Sequence, residues 1–414
     1  MCINKAARPV SAEVFRPLEK CLRRGEWIMI IYWATKLRGF LKHISSCTEG
    51  VQFVQKDQYY ETSSKLRILK SKLIRFRIFD PIGLFQIINV SKKNCDYYGS
   101  YNRFLKADKP YFIYLENPTA LYHYALGRIQ YPAGKKRFEL CLKDANLKYI
   151  VCMSEACRLT FEKVTMPLPE SVKIKTIYPL VPRNKHVDED AIRKKSYADV
   201  LECLYCVQGK RFYTKGGKCV LKAVTRLQKM GFKIHLTVIT DPSVLDRETM
   251  DLINESDSIS LFDFSFSFEE LEEIYAKTAV LLQPSSDDSS ALTVLEAMKG
   301  GCAVLGSKLY AIPEMVKHNE NGILIDPMYR TFTTDNMPNP AAWGYKKKIR
   351  LSKKESQKYI GDIENSLRSL YENRDMLCKF SKRSLEIANT KFGEETIVSQ
   401  WEDVWNALKG GECL

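Results

Sequence analysis

The stretch that decides the fold reads Gln283-Pro-Ser-Ser-Asp-Asp-Ser-Ser-Ala-Leu-Thr-Val-Leu-Glu-Ala-Met298 and continues through Gly300-Gly301 to Cys302-Ala-Val-Leu-Gly306. An apolar run ends at Gln283, a polar loop of small residues follows, and a helix is predicted to begin near Ser290. The glycine pair ends this helix before the next apolar run begins. A strand, a loop, a helix and a second strand in this order predict an α/β fold with a parallel sheet.

The same alternation extends over most of the chain from residue 110 onward. The predicted strands are near-continuous apolar runs, as expected for strands that are buried on both faces. They are Tyr111 to Leu115, Tyr149 to Met153, Val172 to Tyr178, Leu201 to Val207, His235 to Ile239, Ala279 to Gln283, Cys302 to Leu305 and Gly322 to Ile325. Before residue 65, only Trp27 to Ala34 has the pattern of a strand.

The length of 414 residues exceeds what one hydrophobic core usually serves, so two domains are expected. We predict an N-terminal domain over residues 1–182, a second domain over 183–390 and a final helix over 391–414 that packs back on the first domain. The polar stretch from Pro182 to Ala198 is the predicted linker. Residues 331–354 are predicted to form a long surface loop.

Composition excludes several classes of protein. Hydrophobic residues make up 45% of the chain and charged residues 27%, as in ordinary globular proteins. The densest apolar run, Trp27 to Ala34, is too short to span a bilayer, and no secretory signal is recognisable, so we expect a cytoplasmic protein. Cys203 and Cys206 have the spacing of a metal or redox pair, but a pair of buried thiols within a strand is the favoured interpretation.

The net charge of +15 is concentrated at one end of the chain, because residues 1–110 carry a surplus of +12. Such a surplus favours an anionic partner such as a membrane surface, a phosphorylated lipid or a nucleic acid. A solvated surface without a partner explains it equally well. The chain contains no nucleic-acid-binding motif, so we expect no nucleic-acid partner.

Two loops have the composition of a phosphate site. The helix that begins after Ser289, Ser290 and Ala291 offers main-chain N–H groups and a positive dipole end to a diphosphate. Asp288 and Glu296 lie about two helical turns apart and can face one cleft. An N-cap by Asp288 and a solvated Glu296 would be the purely structural alternative.

The second loop follows another predicted strand and reads Val207-Gln-Gly-Lys-Arg-Phe-Tyr-Thr-Lys-Gly216. Its cations, Lys210, Arg211 and Lys215, are suited to neutralising a diphosphate leaving group. Gly209 precedes them at the start of the loop.

The segment from Pro284 to Val304 resembles the donor-site signature of group-1 (family 4) retaining glycosyltransferases of the GT-B fold. The signature is P-S-x-x-E-G-F-G-x-x-x-L-E-A-M-x-x-G-x-P-V, and the positions that match it are Pro284, Ser285, Leu295, Glu296, Ala297, Met298, Gly301 and Val304. Asp288 replaces the first glutamate, and Ser289-Ser290-Ala291 replaces Gly-Phe-Gly. The 207–216 loop resembles the family's V-G-R-x-x-x-x-K-G.

The resemblance implies a GT-B fold, in which two Rossmann-like parallel-sheet domains face a cleft. It also implies a nucleoside-diphosphate sugar as donor, no metal or other cofactor, and retention of configuration. Glu296 would bind the ribose, and Asp288 would contact the donor sugar or stabilise charge near it. Lys215 and either Lys210 or Arg211 would hold the diphosphate, with Gly209, Ser289, Ser290, Ala291 and Leu292 lining the same site.

The acceptor side is predicted from a single strand end. Glu116, Asn117 and His123 follow the strand Tyr111 to Leu115, on the edge that faces the cleft in GT-B proteins. They are candidates to meet an acceptor hydroxyl on a glycan or a lipid-linked intermediate, although helix capping and packing would explain them as well. The alternatives to a glycosyltransferase are a GT-B nucleotide-sugar epimerase, a non-catalytic homologue and a basic nucleic-acid-binding protein.

Overall fold

The N-terminal half forms a parallel sheet in the computed structural model, which describes residues 28–55, 77–165, 168–343 and 353–410. The strands of this half are β1 (Met29–Trp33), β2 (Val51–Val54), β3 (Ile87–Val90), β4 (Tyr97–Tyr101), β5 (Phe104–Ala107), β6 (Tyr111–Leu115), β7 (Leu147–Cys152) and β8 (Lys173–Thr176). Six of them are ordered β2-β1-β4-β6-β7-β8, and β3 pairs with β5 separately. All of these pairings are parallel.

The C-terminal half forms a second six-stranded parallel sheet, ordered β11-β10-β9-β12-β13-β14. Its strands are β9 (Leu201–Cys206), β10 (Ile234–Ile239), β11 (Ile259–Phe262), β12 (Val280–Gln283), β13 (Ala303–Ser307) and β14 (Gly322–Ile325). The order reverses between β9 and β12, which are hydrogen-bonded neighbours. In doubly wound sheets of this kind, ligands bind at the reversal, outside the carboxyl ends of the strands.

Helices cover both sheets. They are α1 (Gly39–Cys47), α2 (Pro132–Leu142), α3 (Glu155–Thr165), α4 (Glu189–Ser196), α5 (Gly217–Lys229), α6 (Arg247–Asn254), α7 (Phe268–Lys277), α8 (Leu292–Lys299), α9 (Ile312–Met315), α10 (Lys353–Glu372), α11 (Arg374–Thr390) and α12 (Glu394–Lys409). Apolar side chains fill the space between each sheet and its helices. The chain therefore has two principal cores.

The last helix, α12, packs against the N-terminal sheet. The rings of Trp401 and Trp405 are stacked with their centroids 4.8 Å apart, and both contact Phe112 of β6. Tyr114 adds a contact to Trp401 at 5.3 Å. Lys175 of β8 donates to Asp403 at 2.8 Å, so a polar contact joins the same two elements.

The predicted strands agree with the structure to within about two residues at each end, because buried parallel strands form distinct apolar runs. Trp27 itself lies outside the described residues. Five strands, β2, β3, β4, β5 and β11, were not predicted. The proposed domain boundary at residue 182 falls between β8 and α4, and that at residue 390 coincides with the end of α11.

The helix predicted to begin near Ser290 begins at Leu292, within two residues of the predicted position. Two other local predictions were wrong. The predicted linker from Pro182 to Ala198 contains α4, which Asp188 caps by accepting from the N–H of Ala191 at 2.8 Å.

The second error concerns the predicted surface loop at 331–354. Its described part is not wholly on the surface, because Phe332 is buried between the rings of Tyr310 and Trp343. The indole N–H of Trp343 donates to the carbonyl of Tyr124 at 3.1 Å, which attaches this segment to the N-terminal half. Helix α10 already begins at Lys353.

Candidate active site

Two loops meet where the strand order of the second sheet reverses. The first follows β9, and the second, residues 284–291, follows β12. The N–H of Ser286 donates to the carbonyl of Thr214 at 3.1 Å. Gly216 has φ +87°, and a Cβ atom there would lie 2.5 Å from the carbonyl oxygen of Pro284. Glycine at this position therefore allows the two loops to approach each other.

Asp288 organises the 284–291 loop. Its Oδ2 accepts from Lys215 Nζ at 2.7 Å and from Gln283 Nε2 at 3.0 Å. Its Oδ1 accepts from the main-chain N–H groups of Ser289 at 3.1 Å and Ala291 at 3.2 Å. Asp288 therefore joins both loops and the end of β12. The alternative that it caps α8 is wrong in its details, because Ala291 occupies the N-cap position.

The charges around Asp288 keep it ionised. Burial on its own would raise the pKa of Asp288, but the charge of Lys215 and the hydrogen bonds from Lys215 and Gln283 lower this pKa below its ordinary value. The side chain of Lys215 is 13% exposed and that of Asp288 is 6% exposed. The ammonium group assigned to a diphosphate is thus held in place by a buried carboxylate.

The beginning of α8 is arranged for an anion. Ala291 adopts a left-handed conformation with φ 44° and ψ 46°, and within the described part of the chain no side chain caps the helix. The first N–H groups of a helix lack intrahelical partners and lie at its positive end. Ser290 is half-buried beside them, and Leu292 packs against the cores of both halves.

Glu296 lies further along α8 and is only partly exposed, so the alternative of a solvated Glu296 is wrong. Its Oε2 accepts from the hydroxyl of Tyr275 at 2.8 Å. Burial raises the pKa of Glu296 above its usual value, although the hydrogen bond from Tyr275 opposes the shift. A small pocket beside it is also lined by Phe268 and Lys299. Burial lowers the pKa of Lys299 to about 8.

The structure separates the two cations that the sequence left undecided. Gly209, Lys210 and Arg211 form a short 3₁₀ turn after β9. Burial would lower the pKa of Arg211, but the charges of Asp287, Asp288 and Glu116 raise it overall. Lys210 instead lies near Asp241 of the neighbouring loop, whose pKa is lowered mainly by the hydrogen bonds from Ser243 and to a smaller extent by the charge of Lys210. Arg211, rather than Lys210, therefore faces the carboxylates of the cleft.

The N-terminal half contributes Glu116 to the same cleft. Its Oε2 accepts from the hydroxyl of Tyr101 at 2.8 Å and from Asn102 Nδ2 at 3.4 Å. Its Oε1 accepts from the hydroxyl of Ser289, so a single hydrogen bond crosses from the first sheet to the 284–291 loop. The predicted acceptor-side candidate Glu116 and the predicted donor-side residue Ser289 are thus in direct contact.

The other two acceptor-side candidates, Asn117 and His123, lie at the two ends of a short buried helix. Asn117 is buried and accepts from the hydroxyl of Thr119 at the start of the 3₁₀ helix Pro118–Tyr122. His123 ends this helix in a left-handed conformation with φ +60° and is also buried. Both residues shape the turn that follows β6.

Comparison with known proteins gives one family match. Residues 204–333, which contain both loops, match the family model described as Glycosyl transferases group 1. No curated protein matches the chain in a sequence comparison.

Solved structures match over nearly the whole chain. Alr3699/HepE from Anabaena, in complex with UDP and glucose, has a TM-score of 0.56 at 13% identity and covers 92% of this chain and 100% of its own. WaaG, a glycosyltransferase involved in lipopolysaccharide biosynthesis, has 0.56 at 14% with the same coverage. Sucrose-phosphate synthase from Thermosynechococcus elongatus has 0.60 at 13%, with 93% and 100% covered. The fold is GT-B. The predicted fold class is confirmed.

In this GT-B fold, a second carboxylate forms hydrogen bonds between the two halves. Glu314, at the start of the second half's short helix α9, accepts from the main-chain N–H groups of Glu155 at 2.9 Å and Ala156 at 2.7 Å, and from the hydroxyl of Tyr178 at 2.7 Å. Glu155 and Ala156 begin α3 of the first half. A carboxylate at a helix N-terminus is favoured by both hydrogen bonding and the helix dipole.

Sequence reasoning missed several residues of the GT-B cleft. Gln283 was assigned only to a strand end, although an amide directly before a buried aspartate loop could have indicated a polar contact. Tyr275 lies in the helical pattern Glu-Glu-Leu-Glu-Glu-Ile-Tyr, whose last residue is buried against α8. Tyr101 carries no local signal, because its partners are distant in sequence.

Neither a metal cluster nor a membrane-spanning helix occurs among the described residues. Across residues 28–55, 77–165, 168–343 and 353–410, no group of three or more His, Cys, Asp and Glu side chains is placed to hold a metal ion. Within the same ranges, no helix has both the length and the apolar composition needed to cross a membrane.

Proposed function

We propose that this protein is a retaining glycosyltransferase, which transfers a hexose-type sugar from a nucleoside diphosphate to an acceptor hydroxyl. The observation that carries the proposal is the convergence of Lys215, Arg211, the uncapped start of α8 and Glu296 on the crevice where the strand order reverses. Cations and a helix N-terminus suit a diphosphate, and a carboxylate about two turns further along the chain suits the ribose hydroxyls. The complex of HepE with UDP and glucose supports the same donor class.

The proposed chemistry places charge stabilisation ahead of covalent catalysis. As the bond between the sugar and the diphosphate breaks, negative charge grows on the leaving phosphate, and Lys215 and Arg211 stabilise it. The proposal therefore includes no metal and no other cofactor. The acceptor hydroxyl attacks the anomeric carbon on the face that the diphosphate leaves and gives its proton to the departing phosphate, so configuration is retained without a protein nucleophile. The proposed acceptor is a glycan or a lipid-linked intermediate of polysaccharide or glycolipid assembly.

The proposal is tested first by binding and then by turnover. A thermal-shift panel of nucleoside diphosphates should give at least one ligand that raises the melting temperature of the wild type, because ligands that bind only the folded state stabilise it. Lys215→Ala and Glu296→Ala should each weaken binding of that ligand by about tenfold or more, since both lose a charge-assisted contact. Lys229→Ala, at an exposed position on α5, is the matched control.

Two outcomes would contradict the proposal. If no nucleoside diphosphate binds, or if both site variants bind as the wild type does, the assigned crevice is not a nucleotide site. Product analysis with the sugar nucleotide alone distinguishes the remaining functions. Isomerised donor indicates an epimerase, while bound but unconverted donor, with every acceptor offered, indicates a non-catalytic homologue.

An anionic membrane surface on the cytosolic side is the partner that we propose for the N-terminal half. The surplus of +12 in residues 1–110 supports it, although many of these cations lie in residues 1–27 and 56–76, outside the described residues. Ile78 is 78% exposed and Leu140 61% exposed, which are large values for aliphatic side chains. Lys136 is exposed one turn before Leu140 on α2. Basic and apolar side chains together are typical of membrane-surface contacts.

Sedimentation with vesicles tests this partner. Vesicles that contain phosphatidylglycerol should bind the protein at low salt, and pure phosphatidylcholine vesicles should bind it less. Leu140→Asp should weaken the binding, whereas Leu159→Asp on α3 should not. Equal binding to both kinds of vesicle would remove the membrane partner and leave the proposed reaction unaffected.

A further inference from the structure

The carboxylate of Asp288 has no capacity left for a sugar hydroxyl. Its two oxygens offer about four acceptor positions. Lys215, Gln283 and the main-chain N–H groups of Ser289 and Ala291 occupy four, all within 3.2 Å. A hydroxyl could bind there only by displacing a main-chain donor or the buried partners that hold the loop. The carboxylate that should contact the donor sugar is therefore engaged elsewhere.

Glu116 is the carboxylate that retains this capacity. It lies at the end of β6, half-buried, on the opposite wall of the cleft. Tyr101 and Asn102 hold its Oε2, and the donor to Oε1 within the described part of the chain is the hydroxyl of Ser289. One acceptor position on Oε1 is left, and the position now filled by Ser289 is exchangeable because a hydroxyl can rotate away without moving the main chain.

The hydroxyl of Ser289 fills the acceptor position on Glu116 Oε1 that a substrate hydroxyl would need. Ser289 follows Asp288 and precedes the uncapped start of α8 by three residues, so it lies between the diphosphate site and the first sheet. We infer that Glu116 binds a hydroxyl group of the donor sugar, replacing its contact with Ser289, and that Asp288 positions the loop and Lys215 instead of binding the sugar. This inference rests on the proposed function, because it assumes a nucleoside-diphosphate sugar in the cleft.

The surroundings of Glu116 fit this assignment. Burial, together with the charge of Glu116, raises the pKa of Tyr101 well above its ordinary value, so Tyr101 stays protonated and continues to donate. Arg211 balances the charge of Glu116 from the other side of the cleft. The first domain thus holds the carboxylate of Glu116 in position. Arg211 of the second domain, which the proposed mechanism places on the diphosphate, interacts with the charge of this carboxylate. Sugar and diphosphate recognition would then be combined only when both halves are together.

Calorimetric titration with UDP and with UDP-glucose tests the assignment. If the wild type prefers another base or sugar in the nucleotide panel, the corresponding nucleoside diphosphate and sugar nucleotide replace this pair. Glu116→Gln keeps the shape and the bonds from Tyr101 and Asn102 but removes the charge. It should bind the nucleoside diphosphate within about twofold of the wild type and the sugar nucleotide about tenfold more weakly, because hydrogen bonds to charged groups are the stronger ones. Glu139→Gln, exposed on α2, is the control for charge removal.

Asp288→Asn distinguishes the two carboxylates. This variant should weaken binding of the nucleoside diphosphate and of the sugar nucleotide equally, because it releases the 284–291 loop and Lys215. The inference is overturned if Glu116→Gln weakens both ligands equally or neither, or if Asp288→Asn selectively weakens the sugar nucleotide. It is also overturned if the wild type gains no affinity from any sugar. Failure of the wild type to bind any nucleoside diphosphate would instead contradict the proposed function.

Discussion

Asp288 and Glu296 are eight residues apart, yet the protein shifts their pKa values in opposite directions. Burial favours the neutral form of both. For Asp288, the positive charge of Lys215 outweighs this effect and the pKa falls. Glu296 has only the hydroxyl of Tyr275 to oppose the effect of burial, and its pKa rises. The first carboxylate is therefore suited to holding structure, while the second remains available for a ligand that offers hydroxyl donors.

Glu296 should therefore cost stability in the unliganded protein at neutral pH. A carboxyl group whose pKa is higher in the folded state stabilises that state below its unfolded pKa, and the contribution is lost as the pH rises through the folded pKa. We predict that Glu296→Gln raises the melting temperature at pH 7, with a gain that disappears as the pH falls below about 4. The same variant should bind nucleoside diphosphates about tenfold more weakly.

Melting curves from pH 3 to 8 measure this effect. Glu269→Gln, exposed in the first turn of α7, provides the matched control and should not change the slope of stability with pH. A Glu296→Gln protein that is less stable than the wild type at pH 7 would show that Glu296 is a structural group.

The roles of single residues were only partly predictable. The sequence places Asp288 and Glu296 at the right end of the sheet, because strand, loop and helix follow one another locally. It does not reveal that Lys215, 73 residues earlier, is committed to Asp288, since that contact depends on the packing of two loops. The contact between Glu116 and Ser289 spans 173 residues and depends on the relation between the two halves.

At the scale of elements, the loops that follow β9 and β12 act as one unit. Their contact brings the main chain of Gly216 so close to Pro284 that a Cβ atom on Gly216 would lie 2.5 Å from the carbonyl oxygen of Pro284. The hydroxyl of Tyr359 on α10 donates to the same carbonyl of Pro284 at 2.6 Å, which supports the loop from behind. The position of Lys215, next to Gly216, is fixed by this packing.

Gly216→Ala should disturb both stability and binding. Two effects add, because alanine disfavours φ +87° by about 1–2 kcal/mol and its Cβ would lie 2.5 Å from a carbonyl oxygen. Gly231→Ala is the matched control, since Gly231 has φ +91° but a Cβ there would meet no atom of the described residues within 4 Å. Urea denaturation should therefore show a larger loss for Gly216→Ala than for Gly231→Ala. Only Gly216→Ala should weaken nucleoside diphosphate binding, and equal effects would show that the loop contact is unimportant.

The elements themselves were predicted as far as their apolar runs are distinct. Strands β6 and β14 have the predicted bounds because each is a short apolar run with every residue buried. Strand β4 was missed because Tyr97-Tyr-Gly-Ser-Tyr101 contains glycine and serine, which become acceptable where Gly99 lies against the ring of Trp33. Helix α4 was missed because it is highly charged and only one face of it is buried.

At the scale of the whole molecule, several contacts join the two halves around the cleft, in addition to the hydrogen bond from Ser289 to Glu116. The last helix covers the first sheet with Trp401 and Trp405, and the segment before residue 343 attaches through Trp343. Glu314 binds the N-terminus of α3, and its two main-chain contacts are between 2.7 and 2.9 Å. The first two contacts are largely apolar and do not depend on a ligand. Glu314 instead makes a polar contact between the halves, from a short helix that follows β13.

Glu314→Ala should therefore shift the two halves apart in the unliganded protein. The variant removes three hydrogen bonds to a carboxylate, each worth about 1.5–3 kcal/mol when a charged group takes part, and leaves the start of α3 without this acceptor. Small-angle scattering should show a larger radius of gyration for Glu314→Ala than for the wild type. A saturating nucleotide should reduce the difference, since a ligand that contacts both halves favours the arrangement in which they are together.

The matched control is Glu320→Ala, an exposed acidic residue of the same region whose ion pair with Arg383 is long, at 4.0 Å. It should scatter as the wild type does. If Glu314→Ala also scatters as the wild type does while its melting temperature falls, Glu314 stabilises α3 without controlling the cleft. If it opens the cleft and weakens sugar-nucleotide binding more than nucleoside diphosphate binding, the carboxylate contacts made by Glu314 and Glu116 are coupled, because Glu116 can reach the sugar only when the first sheet stays in place.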